Sequence, residues 1–242
     1  MFFEVRRNFM KQMLDVTRRE IKYRISLETA LLTQQYLSQI LPQDSHNGVD
    51  GYLVRSLYFD SLYHDDLEEK LEGIEERQKI RLRIYSPQDQ LVKLEIKEKN
   101  GDWQQKRSLT ITKKEALRLI ACDYTVLQEI NHLMAQNLYY KMATELYRPQ
   151  VMVQYNRYAF MMNVNDTRVT FDQKLVASES SFDLFGESDT FYPVGFPDDV
   201  TLEIKYNHFL LSHIRELLDN INKSSQSYSK YVMSRFISHT TE

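Results

Sequence analysis

The sequence predicts an α+β fold, an antiparallel sheet with flanking helices whose strands carry one apolar and one charged face. Three observations predict it. "KIRLRIY", residues 79 to 85, alternates without a slip, with Lys79, Arg81 and Arg83 on one side and Ile80, Leu82 and Ile84 on the other. Successive side chains of a strand point to opposite faces, so this strand has one oily and one cationic face. The pattern recurs: Lys22, Arg24, Lys93, Lys97, Lys106, Arg168 and Lys205 also sit opposite apolar residues. Between these stretches lie segments of helical period with capping residues at their starts.

Taken in order, "REIKYRI" (19–25) is the first strand, and Ser26 caps a helix with Glu28 in its first turn and Ala30, Leu31 and Ile40 along it. "LPQDSHNG" breaks that helix. "GYLVRSLYFD" (51–60) is a strand with Leu53, Leu57 and Phe59 on one face and Ser56, Tyr58 and Asp60 on the other. "LYHDDLEEKLEG" is a short helix closed by Gly73. After the 79–85 strand and a turn at "SPQDQ", "LVKLEIKEK" (91–99) sets Val92, Leu94 and Ile96 against Lys93, Glu95, Lys97 and Lys99. "NGD" at 100–102 marks a hairpin, with "QKRSLTI" returning and placing Lys106, Ser108 and Thr110 on one face. Thr112 and Glu115 have capping-box spacing ahead of helical patterning that runs to about Tyr140. "RPQVMVQY", "RYAFMMN" and "RVTFD" read as three strands, with Asn156 at a turn between the first two. Residues 177–199 read as a long loop, "TLEIKY" (201–206) as a strand, and "FLLSHIRELLDNI" and "SYSKYVMSRFI" as amphipathic helices.

The totals narrow the function. The chain has 242 residues and a net charge of -3, from 31 Lys plus Arg against 34 Asp plus Glu. Bulk electrostatics therefore argue against a nucleic-acid binder, and any cationic site is a local concentration of charge. A lone cysteine, Cys122, excludes an internal disulfide, and its apolar neighbours predict a buried, inert thiol. No apolar run reaches the roughly 18–20 residues of a membrane span, and charges interrupt the N-terminus too often for a signal peptide. A cytoplasmic protein is expected.

If the alternating strands form one sheet, its polar face is dense in cations, with Glu20, Glu95 and Glu203 among them. Closing that sheet into a barrel with charged faces inward would concentrate the field. A polyphosphate group is the natural counter-anion, since Arg offers paired donors and Lys a point charge. The few carboxylates point to Mg²⁺ or Mn²⁺ shared with substrate phosphates. The other common chemistries lack their signatures. There is no phosphate-binding glycine loop, no dinucleotide fingerprint, no H-x-x-x-H or H-E-x-x-H histidine spacing and no nucleophile elbow.

In order and spacing, "EIKYRI", "VRSLYFD", "KIRLRIY", "LEIKEK", "YNRYAF", "RVTFD", "TLEIKY" and "SYSKY" resemble the VTC domain, the polyphosphate polymerase domain of the vacuolar transporter chaperone complex and its bacterial relatives. These belong to the triphosphate tunnel metalloenzyme superfamily. The resemblance implies a tunnel of about eight antiparallel strands over a single domain at 18–238, preceded by an extension at 1–17. It implies a metal-dependent enzyme transferring the terminal phosphoryl group of ATP to a polyphosphate chain. Carried over by motif, Arg81, Arg83, Lys97 and Glu203 are the catalytic set. Lys22, Lys70, Lys106, Arg157, Arg168, Lys205 and Lys230 would bind substrate, Lys70 standing where fungal relatives carry Arg. Glu203, with Glu20, would hold Mn²⁺ or Mg²⁺. The implied ligands are ATP and polyphosphate or triphosphate, without nucleic acid, and the fungal complex leaves room for a membrane-protein partner in trans. The alternatives are a triphosphate or nucleoside triphosphate hydrolase of the same fold and a non-catalytic polyphosphate- or nucleotide-binding module.

Plainer roles are expected for several neighbours. Lys79, at a strand end, is expected to be solvated, Glu95 to be a charge partner, Asp60 to cap the following turn or touch a metal, and Trp103 to pack in the hairpin. Without the resemblance, Lys230 and Tyr228 would be surface and core residues of the last helix.

Overall fold

The computed structural model describes residues 14–16, 19–101, 103–187, 190–225 and 229–236. The expectations for the N-terminal extension fall mostly outside the described residues, as do Asp102 of the hairpin turn and Tyr228. The strands are β1 (Leu14–Val16), β2 (Arg19–Ser26), β3 (Tyr52–Asp60), β4 (Arg77–Ile84), β5 (Leu91–Asn100), β6 (Trp103–Thr112), β7 (Arg148–Met162), β8 (Thr167–Ser178), β9 (Tyr192–Pro193), β10 (Asp199–Tyr206) and β11 (Ser224–Ser225). The helices are α1 (Leu27–Leu37), α2 (Asp65–Leu71), α3 (Lys113–Ile120), α4 (Val126–Glu129), α5 (Leu133–Thr144), α6 (Ser212–Asn220) and α7 (Lys230–Ser234).

All strand pairs are antiparallel, in the order β1-β6-β5-β4-β3-β7-β8-β10-β2-β11, with β9 on β8. Eight of these strands, β2 to β8 and β10, have eight or more residues and form the tunnel wall. The sheet curls strongly. Lys97 on β5 and Glu20 on β2 lie six strand steps apart, yet their side chains meet at 2.7 Å. Twisted sheets of this width curl, and the curl turns one face inward.

Alternation decides which face that is. Ile80, Leu82, Leu94, Leu109 and Leu57 are fully buried on the outer face, where α3, α4 and α5 cover them. A second outer core joins Phe160, Phe171, Leu202 and Ile204 to α1 and α6. With both outer faces covered by helices, the charged residues of the same strands have only the interior to face. The Ser26 cap and the Thr112–Glu115 capping box form as expected. Gly51 has a positive φ of 82°, and a Cβ there would stand 2.3 Å from the Arg157 carbonyl oxygen, so the start of β3 lies hard against β7.

Several expectations are corrected. Residues 148–162 form one strand, and Asn156 sits within it, paired with Leu53 and Gln173 across a local irregularity instead of forming a turn. The helical stretch after Thr112 breaks into α3, α4 and α5, with Cys122 at a left-handed φ of 61° in the first break. That break exposes Cys122, so it is no core thiol. Trp103 is 74% exposed and packs little. The loop expected from 177 starts later, because β8 runs to Ser178, and it contributes β9.

Candidate functional site

The interior is a cavity of about 750 Å³. Three rungs of side chains cross its first wall, because the registers of β4, β5 and β6 align residues of one parity. Lys79, Lys97 and Lys106 form one rung, Arg81, Glu95 and Ser108 the next, and Arg83, Lys93 and Thr110 the third. Glu95 is the hub. It accepts from Arg81 Nε at 2.8 Å, and Lys106 Nζ and Arg83 Nη1 lie 2.5 Å and 3.5 Å from its oxygens. Arg81 Nη1 also donates to the Tyr58 hydroxyl at 2.7 Å, and Arg83 Nε to Ser56 Oγ at 3.3 Å.

The facing wall is built from β2, β10, β8 and β7. Glu203 lies opposite Lys22 on one side and Thr170 on the other. Lys205 Nζ is 2.9 Å from its carboxylate, Arg157 Nη2 3.6 Å and Lys22 Nζ 3.8 Å. Glu20 is gripped by Lys22 and Lys97, each at 2.7 Å. Arg157 forks onto Asp172 with 2.7 and 2.8 Å bonds. Arg168 reaches Asp44 and the Tyr52 hydroxyl, both at 2.8 Å.

Helix α7 packs against the inner face of β7 and β8, where Tyr231 joins Tyr58, Val153 and Tyr155 in a third apolar cluster. Its first residue, Lys230, places Nζ 2.8 Å from Asp172. Asp60 anchors the helix from behind. Its carboxylate accepts from the backbone N–H groups of Ser61, Asp66 and Leu67 and from the Tyr231 hydroxyl. Asp60 therefore caps α2, the plainer of the two roles expected of it.

The electrostatics follow from an imbalance. Fourteen Lys and Arg side chains line the cavity against three carboxylates, Glu20, Glu95 and Glu203. Burial alone would raise the pKa of Glu95 and Glu203, yet Arg83, Arg81 and Lys106 hold the first well below the usual range, and Lys205 and Lys22 the second. Asp172 is held down to about 2, because Arg157 and Lys230 outweigh its burial. Among the cations the outcome divides. Burial disfavours charge on Lys22, but Glu203 and Glu20 more than compensate and raise its pKa. Burial wins at Lys106, pushed down to about 8 despite Glu95, and at Lys97 despite Glu20.

The structure gathers Lys22, Lys70, Arg81, Arg83, Lys97, Lys106, Arg157, Arg168, Lys205, Lys230, Glu20 and Glu203 around this one cavity. Glu95 is a charge partner, as its neighbours foretold. Lys79, expected to be solvated, lines the cavity instead and donates to Ser229 Oγ at 2.6 Å. Sequence reasoning passed over Asp172, Tyr155 and Tyr58. Strand parity could have found Asp172, which follows Arg168 and Thr170 on the inner face of β8.

For a divalent cation, the observation that counts is Lys22. Its ammonium lies between Glu20 and Glu203, where two carboxylates converge on positive charge. Among the described residues no group of three or more Asp, Glu, His or Cys is arranged to hold a metal alone. The donor set thus fits a hard cation that takes its remaining ligands from phosphate oxygens and water.

Comparison with known proteins agrees with this architecture. Among solved structures, an adenylate cyclase candidate from Bacillus halodurans is similar in fold, with a TM-score of 0.55, 14% identity, and coverage of 92% of this chain and 98% of that one. An adenylyl cyclase candidate from Hippeastrum, with a dominant triphosphatase activity, gives 0.54 at 14% identity, covering 91% and 95%. At such identities the likeness concerns the fold alone. No curated protein matches the sequence. No helix of the described residues is long and apolar enough to cross a membrane. The family model of the VTC domain matches residues 17–239, and the chain belongs to that family.

Proposed function

We propose that this chain is a metal-dependent polyphosphate polymerase, moving the terminal phosphoryl group of ATP onto the end of a polyphosphate chain. The observation that carries the reading is the charge imbalance of a cavity large enough for a polyanion, with fourteen cations against three carboxylates. The reaction breaks the bond between the terminal phosphorus and the ADP oxygen. It forms a bond from that phosphorus to a terminal oxygen of the chain, releasing ADP. The acceptor is already an anion, so no strong general base is needed, and holding two polyanions in line is the main task.

Arg81 and Arg83 present guanidinium forks from adjacent rungs, and Lys97, Lys106, Lys22, Lys70, Arg157, Arg168, Lys205 and Lys230 surround them. Preset donors of this kind stabilise charge that develops on the transferring oxygens. Entry of phosphate would compete with Glu95 for Arg81 and with Asp172 for Lys230. Glu203 and Glu20 would hold Mn²⁺ or Mg²⁺, which when bound supplies Lewis-acid neutralisation of phosphate oxygens.

The test is purified protein incubated with ATP and Mn²⁺ or Mg²⁺, with and without a short polyphosphate primer, following ADP, free phosphate and chain length together. The expected result is metal-dependent chain growth with stoichiometric ADP, reduced about a hundredfold or more in Glu203→Gln and Arg81→Ala. Free phosphate without chains would replace the polymerase with a triphosphatase. Binding without turnover would leave an anion-binding module.

A further inference from the structure

Lys79 differs from five other lysines of the tunnel. Lys22, Lys97, Lys106, Lys205 and Lys230 each have a carboxylate oxygen between 2.5 and 2.9 Å away. Among the described residues none lies within ion-pair distance of Lys79. Its Nζ donates to the neutral Ser229 Oγ and stands 5.4 Å from the centre of the Tyr231 ring, both on or next to α7. The charged groups that act on it most strongly are cations: Lys22 from β2, Lys70 from α2, Lys97 across the ladder on β5 and Arg77 on its own strand, with the Glu20 carboxylate engaged by Lys22 and Lys97. Burial first, and then these four, push its pKa down to about 7. An amine in that setting is held in the tunnel by geometry while its charge is suppressed by its surroundings.

Resting on the polyphosphate reading of the tunnel, we propose that Lys79 binds phosphate oxygens at this end of the cavity and takes up a proton from solvent as the polyanion enters. The step converts amine to ammonium, and no bond to phosphorus changes. Phosphate oxygens placed among Lys22, Lys70, Lys97 and Lys79 replace repulsion with attraction, which favours the charged form. Occupancy would also reach α7, because Ser229 Oγ accepts from both Lys79 and the backbone N–H of Val232 at the start of that helix.

If the ligand raises the pKa of Lys79, the bound state holds more protons than the free state. Affinity is then highest below pH 7 and falls above it, by up to about tenfold per pH unit until the bound-state pKa is reached.

Isothermal titration of sodium tripolyphosphate into the full chain at pH 8, without divalent metal and in buffers of different ionisation enthalpy, counts the protons taken up. Lys79→Arg keeps the positive charge but cannot titrate in this range. Wild type should take up close to one proton more than Lys79→Arg, and its affinity should fall several-fold more steeply between pH 7 and 9. The ligand's own protonation is common to both proteins and cancels, and Lys79→Met, uncharged like the amine it replaces, leaves Lys97 and Lys106 in the field they have in the free wild type. Lys79→Met should bind about tenfold more weakly at pH 7 and show the same reduced proton count. Equal proton counts in wild type and Lys79→Arg would overturn the role of Lys79 while leaving the tunnel as the binding site. No binding of tripolyphosphate by any of the three proteins would overturn the tunnel reading, and this inference with it.

Discussion

Asp172 and Asp66 are both buried aspartates, each 2% exposed, and the protein treats them in opposite ways. Asp172, in the tunnel wall, is held down to about 2 by Arg157 and Lys230. Asp66, behind the wall on α2, is pushed up to about 8, first by burial and then by the neighbouring Asp60 carboxylate. Tyr147 donates to one Asp66 oxygen at 3.0 Å, and the other is buried with no partner among the described residues. Desolvation has the same sign at both sites, so the neighbours' charge decides. The lysines repeat the lesson, since Lys22 beside two carboxylates keeps its proton and Lys79 beside four cations sheds it readily. The tunnel wall favours an ionised aspartate at 172, and beside Asp60 a second carboxylate charge at Asp66 is disfavoured.

The largest expected effect comes from breaking the tunnel side of that contrast. Asp172→Ala leaves Arg157 and Lys230 facing each other without their shared carboxylate. A loss of about 3–5 kcal/mol in urea denaturation is expected, as for other buried pairs deprived of one partner. Because the excess charge is positive, tripolyphosphate should restore part of the loss. A change under about 1 kcal/mol would mean that solvent already reaches the pair.

Next comes the pH dependence of the two aspartates. The Asp66 pKa is raised on folding, so its contribution to stability is full below the unfolded value near 4 and is lost as pH rises toward about 8. Asp172 runs the other way, contributing above about 4 and losing that contribution as pH falls toward about 2. Between pH 5 and 8, wild type should lose on the order of 1–3 kcal/mol that Asp66→Asn does not lose. Parallel stability curves for the two proteins would show that Asp66 is ionised throughout.

A smaller effect is expected at the joint between the regions. Tyr231→Phe removes a hydroxyl that donates to Asp60 and should cost about 1–2 kcal/mol. The same change loosens the helix that carries Lys230, so affinity for tripolyphosphate should fall with stability. Retained affinity despite lost stability would separate α7 from the binding site. The smallest effect is reserved for the surface. Glu145→Gln breaks the i,i+4 pair with Lys141, which is half in solvent, and should shift stability by less than about 0.5 kcal/mol.

Much of the tunnel was legible in the chain because strand parity is local. Once 79–85 alternates, Arg81 and Arg83 must share a face, and the same holds for Lys93 and Lys97 and for Glu203 and Lys205. Capping at Ser26 and Thr112 was legible for the same reason, since a cap is made by residues three apart. Asn156 misled because its type favours turns in general. Here it lies inside β7, paired with Leu53 of β3 and Gln173 of β8, and pairing on both sides overrides that preference. Cys122 misled because helical period was extended across a break that only the left-handed residue itself marks.

By itself, then, the sequence determined which residues share a strand face, where helices begin, and that cations crowd one side of the sheet. These are consequences of covalent spacing and side-chain chemistry, present before any distant part of the chain meets another. The tertiary structure decided the rest. The curl of the sheet brings Glu20 to Lys97 across six strand steps, and α7 brings Lys230 to Asp172 and Ser229 to Lys79. Those contacts set which charges stand next to which, and Coulomb interaction depends on distance in space. For that reason Lys79, Lys106 and Lys22, alike as letters in the chain, hold their protons on different terms.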